Sequence, residues 1–260
     1  MSVRIRKIAK LLEAARHRHD LYTVFSDCME AMAITLANAA DTRQRDDREA
    51  RYLKIVGRYD RSTIETWPQI LAELALALEE SPTDVLGAVF GMLELHNAYR
   101  GQFFTPFEVC RLMAGMQIGD GADARQIIER SGFVTVQEPA CGAGAMVIAF
   151  AETLREAGIN YQQHMHVTAV DVDPRAAHMA YVQFSLLHIP ATVIVGNSLT
   201  LETRESWFTP AHILGGWSRR LAVREPTALE AEPPKAPVVP ATTAVNPAPA
   251  AQPVLQLSLF

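Results

Sequence analysis

No apolar run in this 260-residue chain approaches the roughly 20 residues that span a bilayer, so no transmembrane helix is expected. The opening stretch MSVRIRKIAKLLEAARHRHD is basic but broken by charge throughout. It lacks the continuous apolar core and small-residue cleavage site of a secretory signal. Cysteine is scarce: Cys28, Cys110 and Cys141 stand far apart and form neither a disulfide framework nor a metal knuckle. That usage suits a reducing cytoplasm, and no metal is expected. There is no internal repeat. An excess of positive charge is also missing, since the formal net charge is −5, which excludes a surface coated uniformly for nucleic acid.

The charge is unevenly spread. Residues 1–61 hold 13 Lys/Arg against 9 Asp/Glu, and the remainder is acidic. A basic N-terminal region either meets phosphates or is a solvated helix face. Residues 1–98 read as a helical domain. Ile8, Leu11, Leu12 and Ala15 recur at three- and four-residue spacing, and Leu21, Val24, Phe25, Cys28 and Met32 continue as a second stripe. IETWPQILAELALALEE is a third helical stretch with Pro68 in its first turn. For a fourth helix, Ser81 is the expected N-cap, Pro82 the first helical residue, and Asp84 a charge near the positive end of the dipole.

Residues 99–222 change to alternating strands and helices. FVTVQE, HVTAVDVD and ATVIVGNS are the expected strands, separated by helices beginning at Ala145 and at Asp173-Pro174. The fold class is therefore α/β, with about three parallel strands in a partial Rossmann-like sheet, preceded by an α-helical N-terminal domain. The last stretch, residues 223–260, contains no glycine but 8 of the 15 prolines, a composition that reads as an extended, disordered tail.

The chemistry concentrates at Glu138-Pro139-Ala140-Cys141-Gly142-Ala143-Gly144, between the first strand and its helix. Glycines there let backbone approach a ligand closely, and the helix start offers free N–H groups. Asp171 follows at the carboxyl end of the second strand, where an acid can accept from a ribose diol. Asn197, at the end of the third, can donate and accept against an adenine edge. The three loops together make a nucleoside site. A nicotinamide fingerprint fits less well, because it puts its first glycine almost directly after the strand.

EPACGAGAM, AVDVDP and GNSL resemble the first three cofactor motifs of the adenine-N6 DNA methyltransferases. Upstream, DVLGAVFGMLELHNAYRGQFFTPFEVCRLMAGM is similar to the corresponding segment in the modification subunits of type I restriction systems. The resemblance covers residues 84–199. It implies S-adenosylmethionine as cofactor, DNA as substrate and a restriction–modification setting. It further implies that Phe103, Phe104, Thr105 and Pro106 line the methionine end. Glu138, Pro139, Gly142 and Gly144 would hold the polar head and adjacent backbone, Asp171 the ribose, and Asn197 the adenine. Family members often carry Asp where this chain has Asn197.

One family element is missing. Family enzymes follow the third strand with a fourth that ends in Asn/Asp-Pro-Pro-Tyr/Phe, which binds the target adenine. Phe208-Thr209-Pro210 and Asn246-Pro247-Ala248-Pro249 are the only approximations here, so no catalytic residue is assigned. Two readings follow: an adenine-N6 methyltransferase completed unconventionally or in trans, or a catalytically incomplete homologue acting as a DNA- or clamp-associated module. The family fold flanks its first strand with the second and the fourth. FVTVQE therefore has an edge to be covered by PAHILGGW, a homodimer or a partner subunit. Finally, QLSLF resembles the peptide that docks bacterial DNA-processing proteins on the β sliding clamp, with Gln256, Leu257, Leu259 and Phe260 as anchors.

Overall fold

The computed structural model describes residues 2–95 and 105–224. The N-terminal helices are α1 (Val3–Glu13), α2 (Leu21–Ala40), α3 (Arg45–Val56), α4 (Arg61–Ile64), α5 (Trp67–Glu80) and α6 (Val85–Met92). Periodicity explains them: Ile5, Ile8, Ala9 and Leu12 of α1 are buried together, and Arg4 and Lys7 on its rim pair with Glu73 of α5. Helix α6 starts later than its sequence suggests. Ser81 closes α5, and Asp84 is the N-cap, accepting from the Gly87 N–H at 2.8 Å. The polar run after Asp41 is helical as α3, with Arg48 buried against Asp41.

Beyond the undescribed segment come α7 (Phe107–Ile118) and α8 (Ala122–Ser131). Then follow β1 (Val134–Glu138), α9 (Ala145–Glu156), α10 (Tyr161–His164), β2 (Met165–Asp171), α11 (Pro174–Leu186) and β3 (Ala191–Asn197). All three expected strands form, paired in parallel as β1-β2-β3. A fourth was not foreseen. β4 (Glu202–Phe208) turns back antiparallel on β3, with a bulge at Val195/Gly196. Its sequence, ETRESWF, is too polar to read as a buried strand. Helices α12 (Pro210–Leu214) and α13 (Trp217–Arg224) follow.

Helix α11 lies at the centre, with Ala176, Ala177 and Ala180 keeping it slim and ten of its residues buried. It packs on α2 and on the sheet face carrying Val167, Ala169, Val193, Val195 and Trp207. The opposite face carries Gln137, Thr168, Thr192, Ile194 and Ser206, none of them buried. Parallel sheets are ordinarily covered on both faces. Here α12 and α13 close only one end, where Trp217 and His212 meet His166 and Phe208. β1 is an edge strand among the described residues. Residues 2–224 fall in one compact unit, whereas residues 225–260 lie outside the described part.

Candidate functional site

The parallel strands end side by side, and their carboxyl ends surround a cavity of about 700 Å³. Its floor is the loop from Glu138 to Ala143, and its far wall is Asp171, Val172, Asp173 and Arg175 from β2 and α11. Gly196, Asn197 and Ser198 from β3 close one side, and Thr105, Cys110 and Met113 the other. The volume falls within the range of small-molecule sites, which are typically about 300–1,000 Å³.

Asp171 is the best-held group. One carboxylate oxygen accepts from the Gly142 N–H at 2.8 Å and the other from the Asp173 N–H at 2.9 Å. Burial raises its pKa above the usual carboxylate value, against the lowering effect of those two hydrogen bonds. The acid thus fastens the glycine loop to the second strand as well as facing the cavity. Glu138 accepts from the Ala140 N–H at 3.2 Å, which folds its side chain over the same loop. The Asn197 side-chain Oδ1 accepts from Leu199 N–H at 3.0 Å and Thr200 N–H at 3.4 Å, an Asx turn that closes the β3–β4 connection.

The sequence-predicted residues divide accordingly. Thr105, Glu138, Pro139, Gly142, Asp171 and Asn197 line the cavity. Pro106 is the N-cap of α7. Gly144 stands behind the loop with φ +99°, where a Cβ would come within 2.5 Å of the Phe184 ring, so only glycine fits. Phe103 and Phe104 lie outside the described residues, as do Gln256, Leu257, Leu259 and Phe260.

Sequence reasoning missed part of the wall. Met113, Met146 and Met179 supply an apolar, adaptable side. Cys141 is buried, which pushes its thiol pKa well up and leaves it a packing group. Arg175 binds Asp173 in two places and lies 3.9 Å from the Tyr22 ring centroid, joining α2 to the rim of the cavity. Its Nη1 is buried with no hydrogen-bond partner among the described residues. No sequence signal marked Arg175, because Asp-Pro-Arg reads simply as a capped helix start.

The direction of β4 decides what Phe208-Thr209-Pro210 can do. An antiparallel strand runs away from the carboxyl edge, and Phe208 pairs with Thr192 near the start of β3. Thr209 then binds the Ile189 and Ala191 carbonyls and caps α12. The tripeptide therefore sits at the end of the sheet opposite the cavity.

A sequence model of the family described as N-6 DNA methylase matches residues 83–214, half of the chain and all of the cavity's described wall. The chain belongs to the N-6 DNA methylase family. Its matched region runs from the Asp84 cap through α12. Among solved structures it is similar to a protein from Listeria monocytogenes titled as a class I S-adenosylmethionine-dependent methyltransferase. Identity is 12% and the TM-score 0.38, covering 72% of this chain and 51% of that one. The chain thus spans about half the length of that solved structure. No curated protein matches it. Among the described residues there is no cluster of metal-ligating side chains, and no helix is long and apolar enough to cross a membrane.

Proposed function

We propose that the cavity binds S-adenosylmethionine and that the protein serves adenine-N6 methylation of DNA as a cofactor-binding member of its family. The observation that carries this reading is the joint hold on the glycine loop: Asp171 fixes Gly142 while both line one cavity. The residues fit the group. Glu138 and Asp171 favour a ligand with cationic centres, and the three methionines suit a thioether-like chain. Asp171 would hold the ribose, Asn197 and Val172 the adenine, and Glu138 with the loop the amino-acid end. S-adenosylmethionine would supply the methyl group.

Transfer also needs groups that hold the target amine, and the Asn/Asp-Pro-Pro-Tyr/Phe loop is not in this sequence. Since β4 leads away from the cavity, the reading favoured is cofactor capture here with the adenine-binding loop supplied by another polypeptide. Titration calorimetry with S-adenosylmethionine tests the first half. We expect one site, with Asp171→Ala weakening it by about tenfold or more, and no binding would end the proposal. A labelled-methyl assay on unmethylated DNA tests the second. We expect no transfer by the chain alone, and turnover alone would refute supply in trans.

The surface next to the cavity suggests how copies meet. Val109, Leu112, Met113 and Met116 of α7 form an exposed stripe at i, i+3, i+4 and i+7. An exposed apolar stripe of this kind is complementary to itself across a two-fold axis, so a second copy of the chain is the proposed occupant. We also propose that QLSLF is a clamp-docking peptide. Deletion of residues 256–260 should abolish clamp capture in a pull-down, and unchanged capture would refute it.

A further inference from the structure

We infer that Gln183 is a positioning residue for the glycine loop, coupling that loop to the first turn of α6 so that ligand seating and order in α6 are linked. The inference rests on the cavity being the cofactor site, but its geometry stands apart from any ligand.

Gln183 lies on α11 and is completely buried. A primary amide has two acceptor lone pairs and two N–H donors, and here every one is used. Its Oε1 accepts from the backbone N–H of Val85 at 2.9 Å and of Leu86 at 3.1 Å, two of the first-turn donors of α6 that no helix satisfies internally. Its Nε2 donates to Asp84 Oδ1 at 2.9 Å and to the Ala143 carbonyl at 2.8 Å. Ala143 is the residue between Gly142, whose N–H is held by Asp171, and Gly144, which packs on Phe184. The loop is therefore gripped from the ligand side by a carboxylate and from behind by an amide.

The rear grip reaches a separate part of the chain. Asp84, Val85 and Leu86 are about a hundred residues away in sequence, and a few residues on, Phe90 of α6 is itself part of the cavity wall. One side chain thus joins the loop under the ligand to the start of the helix beside it. Ordinary core packing would be met by an apolar residue of the same volume. A residue with all four hydrogen-bonding capacities committed between two elements specifies their relative position, and its removal leaves several buried groups without partners at once.

Two variants and one exchange measurement test this. Gln183→Met keeps the volume and removes the amide, and should weaken S-adenosylmethionine binding by about tenfold or more. Asp84→Asn retains an oxygen for Gly87 and Gln183, and should bind within about twofold of the parent. In the unaltered protein, cofactor should slow hydrogen exchange at the Val85 and Leu86 amides together with Gly142 and Gly144. In ligand-free Q183M, exchange at those four amides should rise by about tenfold while α1 to α5 stay unchanged. Binding by Q183M within twofold of the parent would overturn the inference. So would a uniform rise in exchange, or protection of the loop by cofactor without protection of Val85 and Leu86. If the parent binds no cofactor, the reading of the cavity fails. The ligand-free comparison still decides the coupling, and should Q183M not fold, the exchange response of the unaltered protein decides it.

Discussion

Asp171 shows how far a single residue could be read. Its position after a strand marked it as a ligand-facing acid, and it lines the cavity. Its hydrogen bond to Gly142 was invisible, because residues 29 apart give no local sign that they meet. The same holds for Gln183, which sits in an apolar helical run with no motif around it. Histidines were equally silent in the sequence. His166 donates to or accepts from His212 at 2.9 Å, and His212 reaches Ser218 at 2.9 Å. Burial pushes His166 down to about 3 and His212 to about 4. His178 is also lowered to about 4, with its Nε2 lacking a hydrogen-bond partner among the described residues. All three are neutral in the folded protein at pH 5, whereas the unfolded chain takes up protons below about pH 6.5. Their contribution is therefore intact above pH 6.5 and lost as the pH falls toward 4. Urea unfolding at about pH 7 and about pH 4.5 should differ by up to about 2–3 kcal/mol per histidine. The double variant H166Q/H212Q should show a shallower drop, and equal midpoints for the parent at both pH values would contradict this account.

At the level of elements, three parallel strands and the helices α9 and α11 were legible because pattern, caps and turns agree there. Asp173 does cap α11 and Pro174 does open it. The start of α6 was misplaced by three residues because Ser81-Pro82 is a good local start, overruled by the buried Asp84–Gln183 contact. β4 escaped notice since its inward residues are few: Trp207 alone is buried. Helices α12 and α13 were anticipated only as a cover for the sheet. Trp217 packs over one end of the sheet, 5.0 Å from Phe133 and 5.3 Å from His166 by ring centroids, with the Arg220 guanidinium 3.6 Å from its ring, while β1 stays an edge strand among the described residues. Trp217→Ala should cost about 3–5 kcal/mol in chemical unfolding. It lies at the end of the sheet away from the cavity, so cofactor affinity should be unchanged. A large loss of affinity with unaltered stability would mean that the two ends of the sheet communicate.

For the molecule as a whole, the N-terminal positive charge resolves into ion pairs more than into a patch. Arg4 and Lys7 meet Glu73, Arg18 meets Asp60, Arg48 meets Asp41, and Arg51 meets Glu30 and Glu205. Arg6, Lys10 and Arg16 remain exposed on or just beyond α1 without an ion-pair partner among the described residues. That pairing could not be read from charge counts, because it depends on which helices pack together. The apolar stripe of α7 leads to an expectation for solution mass. Light scattering across micromolar concentrations should give two copies, and Leu112→Asp with Met116→Asp should return one; a parent that is monomeric throughout would refute the pairing. The turned-back strand bears on how the sheet itself could grow. On the β3 side, β4 presents Glu202, Arg204 and Glu205 along a bulged strand, a poor template for another chain. The other edge among the described residues is β1, whose sequence VTVQE carries charge only at its last residue, Glu138. Among the described residues, strand addition is therefore directed to one side of the sheet, and charge opposes it on the other.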